Sequence, residues 1–279
     1  MRVWFITGAS RGFGFHIARL ALEQGDAVVA TARDLSLIEK GLGTDAENLH
    51  MVELDVTSEA ESNSAVAQAV AKFGRIDVLV NNAGRGFAGA IEESSDDEVR
   101  ATFEVNVFGL LNVTRAALPV FRSQRSGLII NISSIGGFIA GAGGGIYCAT
   151  KFAVEGISES LQAELTPLGV DVTLVEPGGF RTDFFDPSSM VFASTVIDDY
   201  TGTSGAFRKR VLLGNHQQVG DPLKAAAAIV SLATLPRPPL RLVLGTTAAE
   251  RMEKKLGDVA ADLAAWRHVT LSTEFDELT

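Results

Sequence analysis

The chain has 279 residues and a single cysteine, Cys148. One thiol excludes an internal disulfide and a cysteine-based zinc site, and it suits a reducing compartment, expected here to be the cytoplasm. Basic residues are in the minority, 24 Lys and Arg against 34 Asp and Glu, for a net charge of −10. Without a basic excess the chain offers little to a phosphate backbone, so nucleic acid is not an expected partner. Long apolar runs are also missing. The longest nearly uncharged stretch toward the C-terminus, Ala225 to Leu235, falls short of the roughly 20 residues of a membrane-spanning helix, and no membrane partner is expected. Met1-Arg2 leads straight into a strand-like run, so no signal peptide is expected. His16, His50, His216 and His268 show no paired ligand spacing, and no metal is expected. With 46% hydrophobic and 21% charged residues there is ample material for a core, which excludes a disordered chain.

What is present is an alternation. Short apolar or β-branched runs occur at Val3–Thr7, Ala27–Thr31, Leu49–Leu54, Val78–Asn81, Leu128–Ile132, Val172–Glu176 and, late, Arg241–Gly245. Between them, stretches such as Phe15–Gln24, Glu59–Phe73 and Val99–Ser123 repeat their apolar residues at helical spacing. Strands alternating with helices predict an α/β fold, a doubly wound and mostly parallel sheet with helices on both faces. No linker divides residues 1–279, so one domain is expected. Residues 184–221 mix aromatic, small and charged residues without a clean period. They are expected to form a flap over the C-terminal edge of the sheet and to cover the substrate. Residues 248–279 are expected to be a helical extension; the amphipathic pattern of Ala248–Trp266 suits an exposed helix or a subunit contact.

Directly after the first run stands Thr7-Gly8-Ala9-Ser10-Arg11-Gly12-Phe13-Gly14. Glycines at a strand-to-helix turn let backbone N–H groups approach a pyrophosphate at a helix N-terminus, where the dipole favours negative charge. The second run ends Thr31-Ala32-Arg33, with no carboxylate before Arg33. A carboxylate there would bind a ribose 2′-hydroxyl, whereas arginine accommodates a 2′-phosphate. Arg11 and Arg33 therefore favour NADP(H), with NAD(H) possible because Asp34 follows at once. Tyr147 and Lys151 lie one helical turn apart, on one face. A nearby ammonium favours the phenolate and lowers the tyrosine pKa, which equips the pair to exchange a proton with an alcohol or carbonyl oxygen.

The ordered set of Thr7–Gly14, Asp55-Val56, Asn81-Asn82-Ala83-Gly84, Asn106, Asn131-Ile132-Ser133-Ser134, Tyr147-x-x-x-Lys151 and Pro177-Gly178 resembles the short-chain dehydrogenase/reductase family over residues 1 to about 183. The resemblance implies a Rossmann-type, seven-stranded sheet, hydride transfer with a nicotinamide cofactor, and a homodimer or homotetramer. It makes Tyr147 the general acid/base, Lys151 its partner and the holder of the nicotinamide ribose, and Ser134 the hydroxyl that orients the substrate oxygen. Ser133 is the rival. The family's spacing to the tyrosine selects Ser134, thirteen residues before it, and adjacent residues on an extended segment point to opposite faces. Asn106 resembles the asparagine that holds a water in a proton relay; its plainer reading is a helix amide meeting backbone groups. For the cofactor the resemblance implies Gly8, Ser10, Arg11, Gly12, Phe13 and Gly14 at the pyrophosphate, with Arg33 beyond. Asp55 and Val56 fall to the adenine, Asn82, Ala83 and Gly84 to the adenosine ribose, and Pro177, Gly178 and Thr182 to the nicotinamide end.

The expected activity is thus an oxidoreductase interconverting a ketone or aldehyde and an alcohol. A non-catalytic dinucleotide-binding sensor or scaffold of the same fold is the alternative, since fold alone does not secure function. Phe138, Phe180, Phe184, Phe185, Met190, Val191 and Phe192 lean toward a hydrophobic substrate. Glu92-Glu93 and Asp96-Asp97-Glu98 read as solvated turns and a helix start, and Arg208-Lys209-Arg210 as a solvated face.

Overall fold

The computed structural model describes residues 1–44 and 46–275. The last four residues of the expected C-terminal extension, 276–279, lie outside them. The elements follow one another as β1 Val3–Thr7, α1 Gly12–Glu23, β2 Ala27–Ala32, α2 Ser36–Leu42, β3 Leu49–Glu53, α3 Glu59–Phe73 and β4 Val78–Asn81. Then come β5 Gly86–Ala88, α4 Asp96–Phe103, α5 Leu110–Gln124, β6 Gly127–Ile132, α6 Gly145–Leu165, β7 Val170–Pro177 and β8 Met190–Phe192. The chain closes with α7 Ala206–Leu213, α8 Pro222–Leu232, β9 Arg241–Leu244, α9 Thr246–Ala265 and α10 Arg267–Leu271.

Seven strands form one parallel sheet in the order β3-β2-β1-β4-β6-β7-β9. Every residue of β1 and β2 is buried, as a strand covered on both faces requires. Successive side chains alternate between faces, so Trp4 and Ile6 join Ile17 of α1 and Ile229 of α8 on one side. Phe5 joins Ala69 of α3, Phe121 of α5 and Leu161 of α6 on the other. Each large side chain taken fully out of water contributes about 1.5–3 kcal/mol. The two layers together leave only the C-terminal strand ends and the loops above them for chemistry.

Three local readings are revised. The helix after the glycine turn starts at Gly12 rather than near Phe15, so the last glycines belong to its first turn. The stretch expected as one helix over Val99–Ser123 is broken by a π-helical turn, Glu104–Gly109, which contains Asn106. The acidic run is not simply solvated. Ser95 and Glu98 do form a capping box at the start of α4, yet Glu93 is 3% exposed. It accepts hydrogen bonds from the Ala90 and Ile197 amides and from Ser204 Oγ. Glu98 accepts from the Ser194 amide and Glu92 from the Tyr200 hydroxyl. The run moors the irregular 184–221 segment, whose backbone donors lack a regular ladder of their own.

That segment is partly structured. β8 pairs in parallel with β5 as a separate two-stranded sheet, and α7 follows a π-helical turn, Thr201–Gly205. At the other end, α9 buries only Ala248, and Leu256, Val259, Leu263 and Trp266 are all exposed. Among the described residues no helix is long and apolar enough to cross a membrane.

Candidate active site

A cleft of about 970 Å³ runs along the carboxyl ends of β1, β2, β4, β6 and β7. It crosses the point where strand order reverses between β1 and β4, the place where open α/β sheets leave a crevice. The glycine turn forms one wall. Gly8 and Gly12 have φ of +65° and +56°, a left-handed region that glycine adopts without penalty. A Cβ at Gly14 would stand 2.4 Å from the Gly8 carbonyl oxygen and 2.5 Å from Asn82 Nδ2, so α1 can seat against the turn only without a side chain there. Asn82, the residue after β4, fixes the same turn, donating through Nδ2 to the carbonyls of Thr7 and Gly8, each at 2.9 Å. Its backbone amide and that of Ala83 donate to Thr7 Oγ1.

The N-terminus of α1 has no side-chain cap and no acidic residue in its first turn. Its amide donors and positive dipole end face the cleft lined by Ser10, Arg11, Gly12 and Phe13, a ready anion site. The residues present therefore fit the diphosphate of a dinucleotide. Farther out, Arg33 lines the cleft and is exposed, while Asp34 is turned to α2, where its Oδ1 accepts the Ser36 amide. Ser36, through its side chain first and its amide second, holds the Asp34 carboxyl below its ordinary pKa. Asp55 and Val56 line the same end, with Asp55 Oδ1 accepting from the Thr57 amide and hydroxyl. Arg11 is less free than the sequence implied: its guanidinium donates to Ser188 Oγ, the Ser188 carbonyl and Ser189 Oγ of the 184–221 segment.

On the opposite wall, the first turns of α6 carry Tyr147 and Lys151 into the cleft. The Ser134 hydroxyl lies near enough to the Tyr147 phenol to oppose the rise of its pKa, and it accepts the Gly136 amide at 3.0 Å. Ser133 turns the other way and donates to Glu155 Oε1 beneath the floor, as alternation along an extended segment demands. Lys151 Nζ stands 5.8 Å from the centre of the Tyr147 ring and donates to the Ile132 carbonyl at 2.8 Å. Burial pulls Lys151 down to about 8, with Glu155 opposing. The sequence reading expected Lys151 to lower Tyr147. Among protein groups alone desolvation dominates instead and pushes the phenol up, with the Ser134 hydroxyl opposing.

Asn106 is buried on its π turn. Its amide donates to the Arg85 carbonyl and to Thr150 Oγ1, and its Oδ1 accepts the Arg85 amide at 2.8 Å. It thus clamps the backbone just after Gly84, which lines the cleft with Ala83. Pro177, Gly178 and Thr182 close the far end. The Gly178 amide donates to the Leu244 carbonyl, and Thr182 faces Gly12 across the cleft, 3.6 Å from where a Cβ would stand. Of the aromatic and apolar residues singled out, Phe180, Phe184, Phe185 and Val191 line the cleft. Phe138 lies beside Arg241 instead, and Met190 packs beneath Gly86.

Sequence reading missed the ionic floor. Arg241 of β9 meets Glu155 and Glu159 of α6 and Glu176 of β7. Glu176 is pushed up to about 7 by burial first and by Glu155 second, against Arg241. Glu155 is legible in hindsight, since it lies one turn beyond Lys151 on the same helix face; Arg241 and Glu176 meet only through strand pairing. A further grouping, Asp183, Asp186 and His216, brings possible ligand atoms within 4.8 Å of one another, with His216 Nε2 already 3.2 Å from Asp186.

The model of the short chain dehydrogenase family matches residues 2–190. The chain is 38% identical to oxidoreductase BOA17 of Botryotinia fuckeliana over 275 residues, 98% of this chain and 99% of that protein. The crystal structure of a short-chain dehydrogenase from Streptomyces avermitilis superposes with a TM-score of 0.92 at 41% identity, covering 98% and 99% of the two chains. The closed form of serine dehydrogenase complexed with NADP+ is similar at a TM-score of 0.74 and 30% identity, covering 87% and 94%. With this fold, this cleft and likeness along nearly its whole length, the chain belongs to the short-chain dehydrogenase/reductase family of oxidoreductases.

Proposed function

We propose that this oxidoreductase interconverts a ketone or aldehyde and an alcohol with NADP(H) in preference to NAD(H), on a substrate with a hydrophobic body. The observation that carries the reading is the grouping of Ser134, Tyr147 and Lys151 on the wall opposite an uncapped helix N-terminus. A nicotinamide bound between those walls supplies the hydride. The chain's own groups handle the oxygen. Tyr147, protonated at neutral pH by its ordinary pKa near 10 and pushed further up by burial, donates a proton to the developing alkoxide, and the Ser134 hydroxyl holds that oxygen in place. Lys151, fixed by the Ile132 carbonyl, presents positive charge and donor capacity at the ribose side. Asn106 holds the Arg85 backbone that borders the same space.

The NADP(H) preference rests on Arg33, exposed on the cleft with no ion pair among the described residues, and on Asp34 being turned away. A 2′-phosphate suits a free guanidinium fork. Gly8, Ser10, Gly12, Phe13, Asp55, Val56, Asn82, Ala83, Gly84, Pro177, Gly178 and Thr182 complete the dinucleotide site in this reading, with Gly14 as its packed base. Residues 184–221 cover the substrate end, where Phe184 and Val191 give it an apolar lining. The exposed apolar stripe of α9 and exposed Phe108 and Phe152 favour a homo-oligomer, and the single buried Cys148 suits a cytoplasmic setting.

The test is Tyr147→Phe, assayed with NADPH on a panel of hydrophobic ketones. Turnover is expected to fall by about 10²–10⁴-fold, the range of a lost general acid, while NADPH binding by fluorescence stays within about threefold. Near-wild-type turnover in the variant overturns the mechanism. Tight NADPH binding by the wild type without turnover of any ketone would favour the non-catalytic sensor instead.

A further inference from the structure

Among the described residues, four arginines line the cleft with neither an ion pair nor a side-chain hydrogen bond: Arg33, Arg85, Arg210 and Arg251. Arg11 is tied to Ser188 and Ser189, and Lys151 to the Ile132 carbonyl. Arg208, the first residue of the basic run, reaches the Ala193 carbonyl and stands 3.9 Å from Glu93. Arg210, the last residue of that run, does not. Its guanidinium lies 5.1 Å over the ring of Phe207, and it forms no ion pair among the described residues. The residues one turn away on its helix, Ala206, Phe207, Leu213 and Gly214, offer no carboxylate either. Arg251 on α9 is in the same position, with Thr247, Ala248, Lys254 and Lys255 at those spacings. Both are exposed, and what sets them apart from Arg33 is that they line the cleft with the 141–148 wall and Phe207.

Their placement is specific. Phe207 seats on the turn that leads into α6: a Cβ at Gly143 would stand 2.7 Å from Phe207 Cβ, and one at Gly144 3.6 Å from its ring. This puts Arg210 above the start of the helix that bears Tyr147. Arg251 also comes near this helix, where its charge acts on Cys148. Ala248, one turn before Arg251, faces Gly178, with 3.3 Å to a Cβ built there. Burial pushes the Cys148 thiol up, and the Gly141 backbone and the nearby Arg251 charge pull the other way. Both arginines line the cleft with Gly141, Ala142 and Phe207. The acidic residues of the lining are Asp55, beyond the glycine turn, and Asp183, whose charge acts on His16; neither lies on the 141–148 wall.

We propose that Arg210 and Arg251 form an oxyanion-binding rim at the substrate end of the cleft, so that the preferred substrate is a carbonyl compound bearing a carboxylate. Its apolar body lies along Phe184 and Phe207, and its charged end leaves the cleft between α7 and α9. A guanidinium fork matches a carboxylate with two parallel hydrogen bonds. The inference rests on the carbonyl-reducing reading above and narrows it.

The experiment compares benzoylbutyrate with its methyl ester, two aryl ketones that differ in the distal charge, using NADPH and the full-length protein. The acid is expected to exceed the ester by at least tenfold in kcat/KM, chiefly through KM, and this ratio is expected to shrink in high salt. Arg210→Ala and Arg251→Ala are each expected to lower the acid-to-ester ratio about tenfold, and the double variant further. A wild-type ratio near one, or a ratio unmoved in both variants, overturns the rim. Reduction of neither compound counts against the carbonyl-reducing reading. In that event calorimetric binding of benzoylbutyrate to the NADPH-loaded protein decides the rim on its own, because affinity equal to that of the ester overturns it.

Discussion

Arg241 Nη1 meets Glu176 Oε1 at 2.5 Å, across the pairing of β9 with β7. The Glu176 side chain is 0% exposed and its Oε2 has no partner, so ionising it is costly. Its pKa accordingly rises from 4.5 to about 7, through burial and then through Glu155. Between those values the folded chain holds a proton that the unfolded chain has released. The contribution of Glu176 to stability is therefore complete below about 4.5 and is lost as pH rises through about 7. Thermal unfolding of the wild type should show this loss over that window, and Glu176→Gln should flatten it. An unchanged pH slope in the variant would remove Glu176 as its source. Arg241→Leu, which strands two buried carboxylates, should cost about 3–5 kcal/mol.

The two adjacent serines should separate cleanly. Ser134 faces Tyr147, whereas Ser133 donates to Glu155. Ser134→Ala is expected to lower kcat by about 10²-fold or more, as loss of a hydroxyl at a developing oxyanion does, with little change in melting temperature. Ser133→Ala removes a donor from a buried carboxylate and should cost about 1–3 kcal/mol of stability, with the smaller effect on kcat. The reverse ranking in steady-state assays would exchange their roles.

Arg33→Ala should weaken NADPH about ten- to hundredfold, the worth of one or two charge-assisted hydrogen bonds, while the affinity for NADH changes little. Arg11→Ala should discriminate less between the two cofactors, because its guanidinium is spent on Ser188 and Ser189. Fluorescence titration of both variants with both cofactors checks this. Equal weakening of NADPH and NADH by Arg33→Ala would mean that the side chain does not meet the 2′-phosphate.

The sequence by itself determined the fold class and the order of the strands' motifs. Strands buried on both faces are continuous apolar runs, and helices covering them repeat at their own period, so composition along the chain records both. It also marked the glycine-rich turn after β1, although the reason Gly14 admits no Cβ, its approach to the Gly8 carbonyl and Asn82, belongs to the tertiary structure. Four residues of spacing were enough to set Tyr147 and Lys151 on one helix face. The tertiary structure alone decided the rest. Glu155, Glu176 and Arg241 come from three elements and meet only when β7 pairs with β9 under α6. Glu93 looks like an exposed acid in its own segment, yet it is buried because residues more than a hundred positions later bring amide and hydroxyl donors to it. The upward push on the Tyr147 phenol likewise comes from burial by the elements packed around it. Periodicity reports what a residue faces within its own element; burial and charge depend on every element packed against it.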